Sequence, residues 1–473
     1  MLEIKSETER TVPGVRTPAA VNSVVTARGL ALSILSRVEK EGAYANILLQ
    51  HQVGLLPDPR DRQLATALVN GVLKHRLTLD YALRQHLRGP MSNFDVVVRG
   101  ILRLGAFQLL YLDRIPAAAA VGESVELAKR EAAKFASLVN GVLRQVERQG
   151  WEISWPDPRR EPVRYLCVRY SHPDWMVRRW WKRWGLAETE KLCQANNEPA
   201  PTWIRANTLK NSPEELLVRL QAAGIEAERG ERVPESLRMT GFGALERLSG
   251  FREGLFTVQD ESSQLVAHLL APLPGEQVLD VCSAPGGKTT HLAQLMADQG
   301  RILAFDVHEH KLPFVAASAE RLGIHIIQTQ QGDARELPGV KAKSQDRVLV
   351  DAPCSGLGVL RRKSDLRWHK QEEELQVFPP LQQSILERAA ETVKIGGELV
   401  YSTCTIEPEE NFEVAKAFRK RHPEFIPVDL TESLPFHLTD DGDRKQAEKG
   451  MLQLLPHRHG MDGFFLAKFR RIV

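Results

Sequence analysis

LDVCSAPGGKTTHL, residues 279–292, runs from a short apolar segment through a tight turn into a helical period. The apolar run Val278 to Val281 stops where Ala284, Pro285, Gly286 and Gly287 break the pattern. Lys288, Thr289 and Thr290 then lead into Leu292, Leu295 and Met296 on one helical face. Strand, glycine turn and helix in that order make the opening unit of a doubly wound α/β domain. The glycines let the backbone approach a ligand closely, and the unpaired N–H groups of the helix start favour oxygen-rich partners. A second apolar strand, Arg301 to Phe305, ends at Asp306, twenty residues past Gly286. An acid there is placed to accept hydrogen bonds from ribose hydroxyls. GKTT resembles the end of a phosphate-binding P-loop, but that motif needs glycine where this chain has Cys282. A Rossmann-like site for an adenosine-containing cofactor fits better.

Outward from this unit, strands and helices alternate. Strands are predicted at Val278–Asp280, Ile302–Phe305, His325–Thr329, Arg347–Val350, Glu398–Tyr401, Phe425–Val428 and Phe464–Phe469. Helices are predicted at Thr289–Ala297, Lys311–Leu322, Gln382–Thr392 and Asn411–Arg421. That punctuation predicts a mostly parallel sheet with an edge pair at its end. Ligands of such sheets sit beyond the carboxyl ends of the strands. The rule selects Asp280 to Lys288, Asp306, Asp333, Asp351 to Cys354 and Ser402 to Thr405 as residues able to meet. Two of these strand ends, DAPCSG (351–356) and STCT (402–405), carry a cysteine in a polar turn. A structural cysteine usually lies among apolar neighbours, whereas turn backbone and a nearby helix start can lower a thiol's pKa. Asp351, beside the first, could hydrogen-bond a ring nitrogen of a flat heterocycle.

The front of the chain has another texture. Residues 1–25 lack a sustained apolar period and are expected to be a disordered tail. From Thr26 to about Arg148 the periodicity is helical: Leu30, Ile34, Leu35 and Val38; Leu64, Leu68, Val72 and Leu73; Ile101, Leu104, Phe107 and Tyr111; Leu138, Val142, Leu143 and Val146. This predicts an all-α domain over 26–150 without a catalytic constellation, either a scaffold or an RNA-binding module using Arg60, Arg62, Lys74, Arg76, Arg84 and Arg88. Residues 151–250 read as a connector with a small α+β insert, and 251–473 as the catalytic part. In the connector, RYSHPDWMVRRWWKRWG interleaves tryptophans with bases. Stacking on nucleotides is possible, but an amphipathic clamp with buried tryptophans and solvated arginines is the stronger reading.

Composition narrows the class. Apolar residues make up 42% of the 473 and charged residues 26%, a globular balance. No signal peptide or membrane-length apolar run is evident. Five cysteines without metal-ligand spacing predict a reduced, cytoplasmic setting and no metal. The net charge of +3 is uneven: residues 1–150 hold 20 Lys+Arg against 14 Asp+Glu, while residues 251–473 hold 27 against 32. Nucleic-acid affinity should therefore lean on the front and on local basic loops. One such loop is Arg361, Arg362, Lys363, Arg367, Trp368, His369 and Lys370, which suits RNA phosphates and a stacked base.

LDVCSAPGGKTTHLAQ, DAPCSGLGVLRRKSDLRW and YSTCTIEPEEN resemble three signature motifs of the RNA cytosine-C5 methyltransferases, the Sun family. The helical front, with GESVELAK and LVNGVLR, is similar to the NusB-like domain of one branch, the bacterial 16S ribosomal RNA methyltransferases. The likeness covers most of the chain from about Thr26; Lys363 stands where many relatives have His. It implies an all-α NusB-like N-terminal domain, a small α+β connector and a C-terminal α/β Rossmann-like methyltransferase domain. It also implies S-adenosylmethionine (S-adenosyl-L-methionine) as cofactor and a cytosine of single-stranded or looped 16S ribosomal RNA as substrate, acted on by a monomer. Cys282, Ser283, Ala284, Pro285, Gly286, Gly287 and Lys288 would wrap the cofactor's methionine and ribose part. Asp306 would take the ribose hydroxyls and Asp333 would contact the adenine. Asp351 would lie beside the target base, Cys404 would be the nucleophile and Cys354 would assist product release. Two other classes stay open on the residues alone: a P-loop-like NTPase, and a non-catalytic RNA-binding or antitermination-like protein.

Overall fold

The computed structural model describes residues 25–243 and 245–473, so the tail read at 1–25 lies outside the described residues except for Val25. The chain forms two compact units that divide between Ile153 and Ser154.

The first unit is helical throughout. Its helix Val96–Tyr111 is apolar on nearly every side and is buried along most of its length. Asp95 starts it, its carboxylate accepting from the Val98 N–H at 2.9 Å. Arg103, buried inside it, bonds both oxygens of Asp80 and reaches Glu39 at 2.7 Å, and Arg99, one turn earlier, pairs with Glu39 at 2.8 Å. The helix Pro59–Lys74 crosses closely because Gly71 has no side chain: a Cβ there would lie 1.9 Å from the Phe107 ring. Two of the six bases of the predicted patch turn inward. Arg62 donates to the carbonyls of Leu56 and Pro57, and Arg76 pairs with Glu39, while Arg60, Arg84 and Arg88 are exposed.

The second unit opens with the helix Pro162–Tyr170, and the Trp-rich helix, Asp174–Ala195, follows and kinks at Gly185 with φ at 78°. Trp180 is buried and its indole N–H donates to Glu407 at 3.2 Å. Arg179 pairs with Glu407 and Glu409, and Arg183 donates to the Ile406 carbonyl. The clamp reading holds for Trp180 but not for these arginines. They are spent on the segment after the STCT motif, because desolvated carboxylates there need a counter-charge.

An antiparallel sheet follows, ordered β2-β3-β1-β4 from β1 (Thr202–Ala206), β2 (Glu226–Arg229), β3 (Ser236–Thr240) and β4 (Phe256–Val258). The helix Pro213–Ala222 opens with a capping box between Ser212 and Glu215. Because β4 belongs to this sheet, the insert runs past residue 250, where the sequence reading had begun the catalytic part.

The large sheet takes β5 (Gln277–Asp280), β6 (Arg301–Asp306), β7 (Ile327–Gln331), β8 (Gln345–Asp351), β9 (Val393–Thr403), β10 (Phe425–Pro427), β11 (Met451–Leu454) and β12 (Phe464–Arg471). Its order is β10-β12-β9-β8-β5-β6-β7, with β11 on β12. Strands β5 to β9 are mutually parallel, while β12 runs antiparallel to β9. This is the mostly parallel, Rossmann-like sheet with an antiparallel end that the alternation predicted. Strand β7 begins two residues later than predicted, because the N–H groups of His325 and Ile326 bond the Asp298 carboxylate instead of a neighbouring strand. Strand β11, too short to show a clear alternation, was not foreseen.

Candidate active site

The parallel strands bring every residue selected by the strand-end rule to one edge of the sheet. After β5 the loop turns at Gly286, whose φ of 101° suits glycine, and a Cβ there would press to 3.0 Å from the Val315 backbone. The helix Gly287–Leu295 starts directly behind it. The loop is tied to β6: Ser283 N–H bonds the Phe305 carbonyl at 2.8 Å, and Ala284 N–H donates to Asp306 at 3.2 Å. Asp306 also accepts from His308 N–H at 2.9 Å, so backbone groups orient it while it keeps lone pairs for a ligand. Asp333, past β7, pairs with Arg335 at 2.5 Å, which holds its carboxyl below the usual range. Asp280 is buried, and burial pushes its carboxyl up to about 7 although Thr289 donates to it at 2.7 Å.

Asp351 ends β8. The Lys288 ammonium meets one of its oxygens at 2.6 Å and the Ser402 hydroxyl donates to the other at 2.8 Å. Lys288 also stands 5.1 Å over the Phe464 ring. A P-loop lysine points to phosphates from inside the glycine loop; this one is committed to a carboxylate of a neighbouring strand, which argues against the NTPase reading.

The two cysteine turns face each other with sulfurs 3.4 Å apart. The hydrogen bond from Cys354 draws the Cys404 thiol down, against burial and Asp351, and Lys288 and Lys363 add to the lowering. That same bond, with burial, raises Cys354 well above the ordinary thiol range. Burial and the surrounding Asp280, Asp306, Asp351 and Asp333 raise Cys282 as well. Of the three sulfurs, Cys404 is the one whose surroundings favour ionisation.

The sequence reading gave no role to Glu410, Asn411 and Gln382, and these fasten both turns. Buried Glu410 accepts from Ser355 N–H at 2.8 Å, from the Ser355 hydroxyl at 2.5 Å and from Gln382 at 3.1 Å. Gln382 also donates to the Pro353 carbonyl at 2.9 Å. Asn411 takes the Thr403 hydroxyl at 2.6 Å and gives to the Thr405 carbonyl at 3.0 Å. Their signal was present in EPEEN, a polar run behind an apolar strand, but it reads as a solvated face until the buried partners are seen.

The basic loop after Cys354 is mostly inward. Arg361 bonds Asp462 at 2.5 Å and Arg362 bonds Asp260 at 2.6 Å. Arg367, 1% exposed, donates to the carbonyls of Ser171 and Asn196 and to Asn197. Lys370 is buried, and Lys363 is the exposed lysine of the loop. Its arginines therefore fix the loop rather than wait for phosphates, correcting the expectation.

No ligand is needed to test whether the loop suits a nucleoside cofactor. Ser283 Oγ is buried in it without a hydrogen-bond partner, as is Gln259 Nε2, 3.9 Å from the place of a Gly287 Cβ. Orphaned polar atoms beside a glycine turn fit a polar ligand.

A glycine loop and two facing thiols thus meet at the strand ends of a Rossmann-like sheet, and comparison with known proteins places the chain among methyltransferases. Residues 267–470 match the family model described as 16S rRNA methyltransferase RsmB/F. Residues 25–148 match the NusB family, and 172–246 match the ferredoxin-like domain of the RsmF/B-like methyltransferases. The chain is 40% identical over 94% of its length, and 98% of the relative's, to the probable ribosomal RNA small subunit methyltransferase B of Bacillus subtilis. Among solved structures it resembles PH0851 with a TM-score of 0.77 and 29% identity, covering 94% of this chain and 99% of that one. A methyltransferase homologue from Pyrococcus horikoshii matches 66% of this chain and 99% of its own, at 30% identity and a TM-score of 0.57. The chain belongs to the ribosomal RNA small subunit methyltransferase B family. Membership implies S-adenosylmethionine as methyl donor. No helix among the described residues is long and apolar enough to cross a membrane.

Proposed function

We propose that this protein transfers a methyl group from S-adenosylmethionine to carbon 5 of a cytosine in 16S ribosomal RNA, through a covalent bond between Cys404 and carbon 6. The carrying observation is the thiol pair, 3.4 Å apart, with Lys288 and Lys363 favouring the thiolate of Cys404. Carbon 5 of cytosine is a poor nucleophile; a thiolate added at carbon 6 makes it enamine-like. When bound, S-adenosylmethionine supplies an electrophilic methyl group to that carbon. Asp351, held by Lys288 and Ser402, offers the polar edge against which the ring's N3 and amino group dock. Once Cys404 is bonded to carbon it no longer shares the Cys354 proton. Cys354 then gives its thiol proton to solvent and, as the thiolate, takes the carbon-5 proton, so that the ring's double bond reforms and Cys404 leaves as a thiolate.

Cys282 to Lys288 hold the donor in this reading, with Asp306 on its ribose and Asp333 on its adenine. The target base must leave its stack to reach a recessed pair of thiols, which favours single-stranded or looped RNA. The helical unit of residues 26–150 grips the RNA without taking part in the chemistry, its charge excess being the support. Bisulfite sequencing of ribosomal RNA made with and without this protein tests the reading. One protected cytosine that depends on the protein is expected, and unchanged protection at every position overturns it.

A further inference from the structure

The insert lies against one face of the helix Gly287–Leu295. Gly287, Thr290, His291 and Gln294 recur there at helical spacing, and each meets a polar group of or beside the insert. The centre of this contact is Arg205 on β1, 0% exposed and paired in register with Ser236 of β3. Its Nε donates to Gln294 at 2.7 Å, one Nη to the Gly287 carbonyl at 2.7 Å and to Gln259, and the other to Thr290 Oγ1 at 3.1 Å. The Thr290 hydroxyl in turn donates to the Gly286 carbonyl at 2.8 Å. Both glycines of the donor loop are therefore gripped, one directly and one through Thr290.

Such a residue is costly to bury. Desolvation pushes its guanidinium down to about 9, and Glu235 supplies the opposing charge. Burial works against that carboxylate too, but the rings of His268 and His291 turn their Nε2 atoms onto it and hold it ionised. Glu235, His268 and His291 place three ligand atoms within 4.8 Å of one another, the arrangement of a cation site. Arg205 depresses His291 electrostatically, after burial, and a dication would be added to that same charge. The trio is better explained as the counter-charge of Arg205.

We infer that Arg205 is a positioning residue: from the insert it holds the loop 282–288 in its donor-binding shape and so fixes Lys288, the next residue, beside Asp351 and Cys404. The inference rests on the reading of that loop as the donor site. A fork is required, because a lysine at this position keeps the charge but cannot span Gln294, Gly287 and Thr290 together.

The test is Arg205→Lys in the full-length protein, with S-adenosylmethionine affinity measured by calorimetry and KM for both substrates measured in methyl transfer. Donor Kd and KM should rise about tenfold, the worth of one charge-assisted hydrogen bond, while KM for RNA stays within about twofold. Asp306→Ala is measured alongside. If it loses donor affinity and Arg205→Lys does not, the inference fails and the site stands; if neither loses affinity, the site reading itself fails. Equal weakening of donor and RNA by folded Arg205→Lys also overturns the inference. Should that variant not fold, Thr290→Val, which removes the Arg205–Thr290–Gly286 link and keeps the direct bond of Arg205 to the Gly287 carbonyl, decides: a raised donor Kd supports the role, and an unchanged one removes it.

Discussion

Two turns carry a cysteine past the end of a parallel strand, Pro353–Ser355 after β8 and Thr403–Thr405 after β9. Both are short, polar and pinned by the residues of EPEEN. They differ in what surrounds the sulfur. Cys404 receives a hydrogen bond from its partner and has Lys288 and Lys363 near it; Cys354 gives that bond and has Glu410 behind its turn. Equal motifs thus acquire unequal acidities, first from the bond between the two sulfurs and then from Lys288 and Lys363, and on the proposed function that difference would sort attack from release.

The largest effect should come from Cys404→Ala, which removes the only thiol held low. Methyl transfer should fall on the order of 10⁴-fold or more, the scale of losing a covalent nucleophile, with no RNA adduct on a denaturing gel. Cys354→Ala should stop turnover but let addition and methylation proceed, leaving a denaturation-resistant complex. A stable complex from the first variant and none from the second would exchange the two roles.

Lys288→Met probes the cause of the asymmetry. Without that cation the Cys404 thiolate is less favoured, so its pKa rises and the ascending limb of the pH–rate profile moves to higher pH. A limb that stays in place would mean that Cys354 alone sets the asymmetry. The smallest effect on the chemistry is expected from removing the helical unit. Residues 154–473 should still form the adduct at saturating RNA but bind RNA more weakly, with a shallower salt slope. Equal RNA affinity across salt concentrations would give that unit another task.

The same contrast explains what could be read before the structure. Strand ends were legible because apolar runs stop at Asp280, Asp306, Asp351 and Ser402, and a parallel sheet gathers its carboxyl ends. The Trp180 clamp was legible because a tryptophan among charges on a helix has one apolar face to bury. Destinations of charge were not. Arg361, Arg367 and Arg205 look like any surface base in the sequence, and only the fold shows that each answers a buried carbonyl or carboxylate. Glu410 was hidden for the same reason, since its partners Ser355 and Gln382 lie on other segments.

Strand β12 lies between β9 and β10, antiparallel to the strand that ends in Cys404, with Phe465 paired to Thr403. The Cys354 turn depends on the same stretch: Gly463 N–H bonds the Gly358 carbonyl at 2.8 Å, and a Cβ at Gly358 would lie 1.9 Å from the Gly463 oxygen. During synthesis β9 emerges well before its neighbour and must wait with one edge unpaired. The pairing that closes the sheet is long-range, so loop-closure entropy makes it a late event in folding. The Gly463–Gly358 bond that braces the Cys354 turn can then form only after nearly all of the second unit has left the ribosome, and a nascent chain carries that turn without this brace until then.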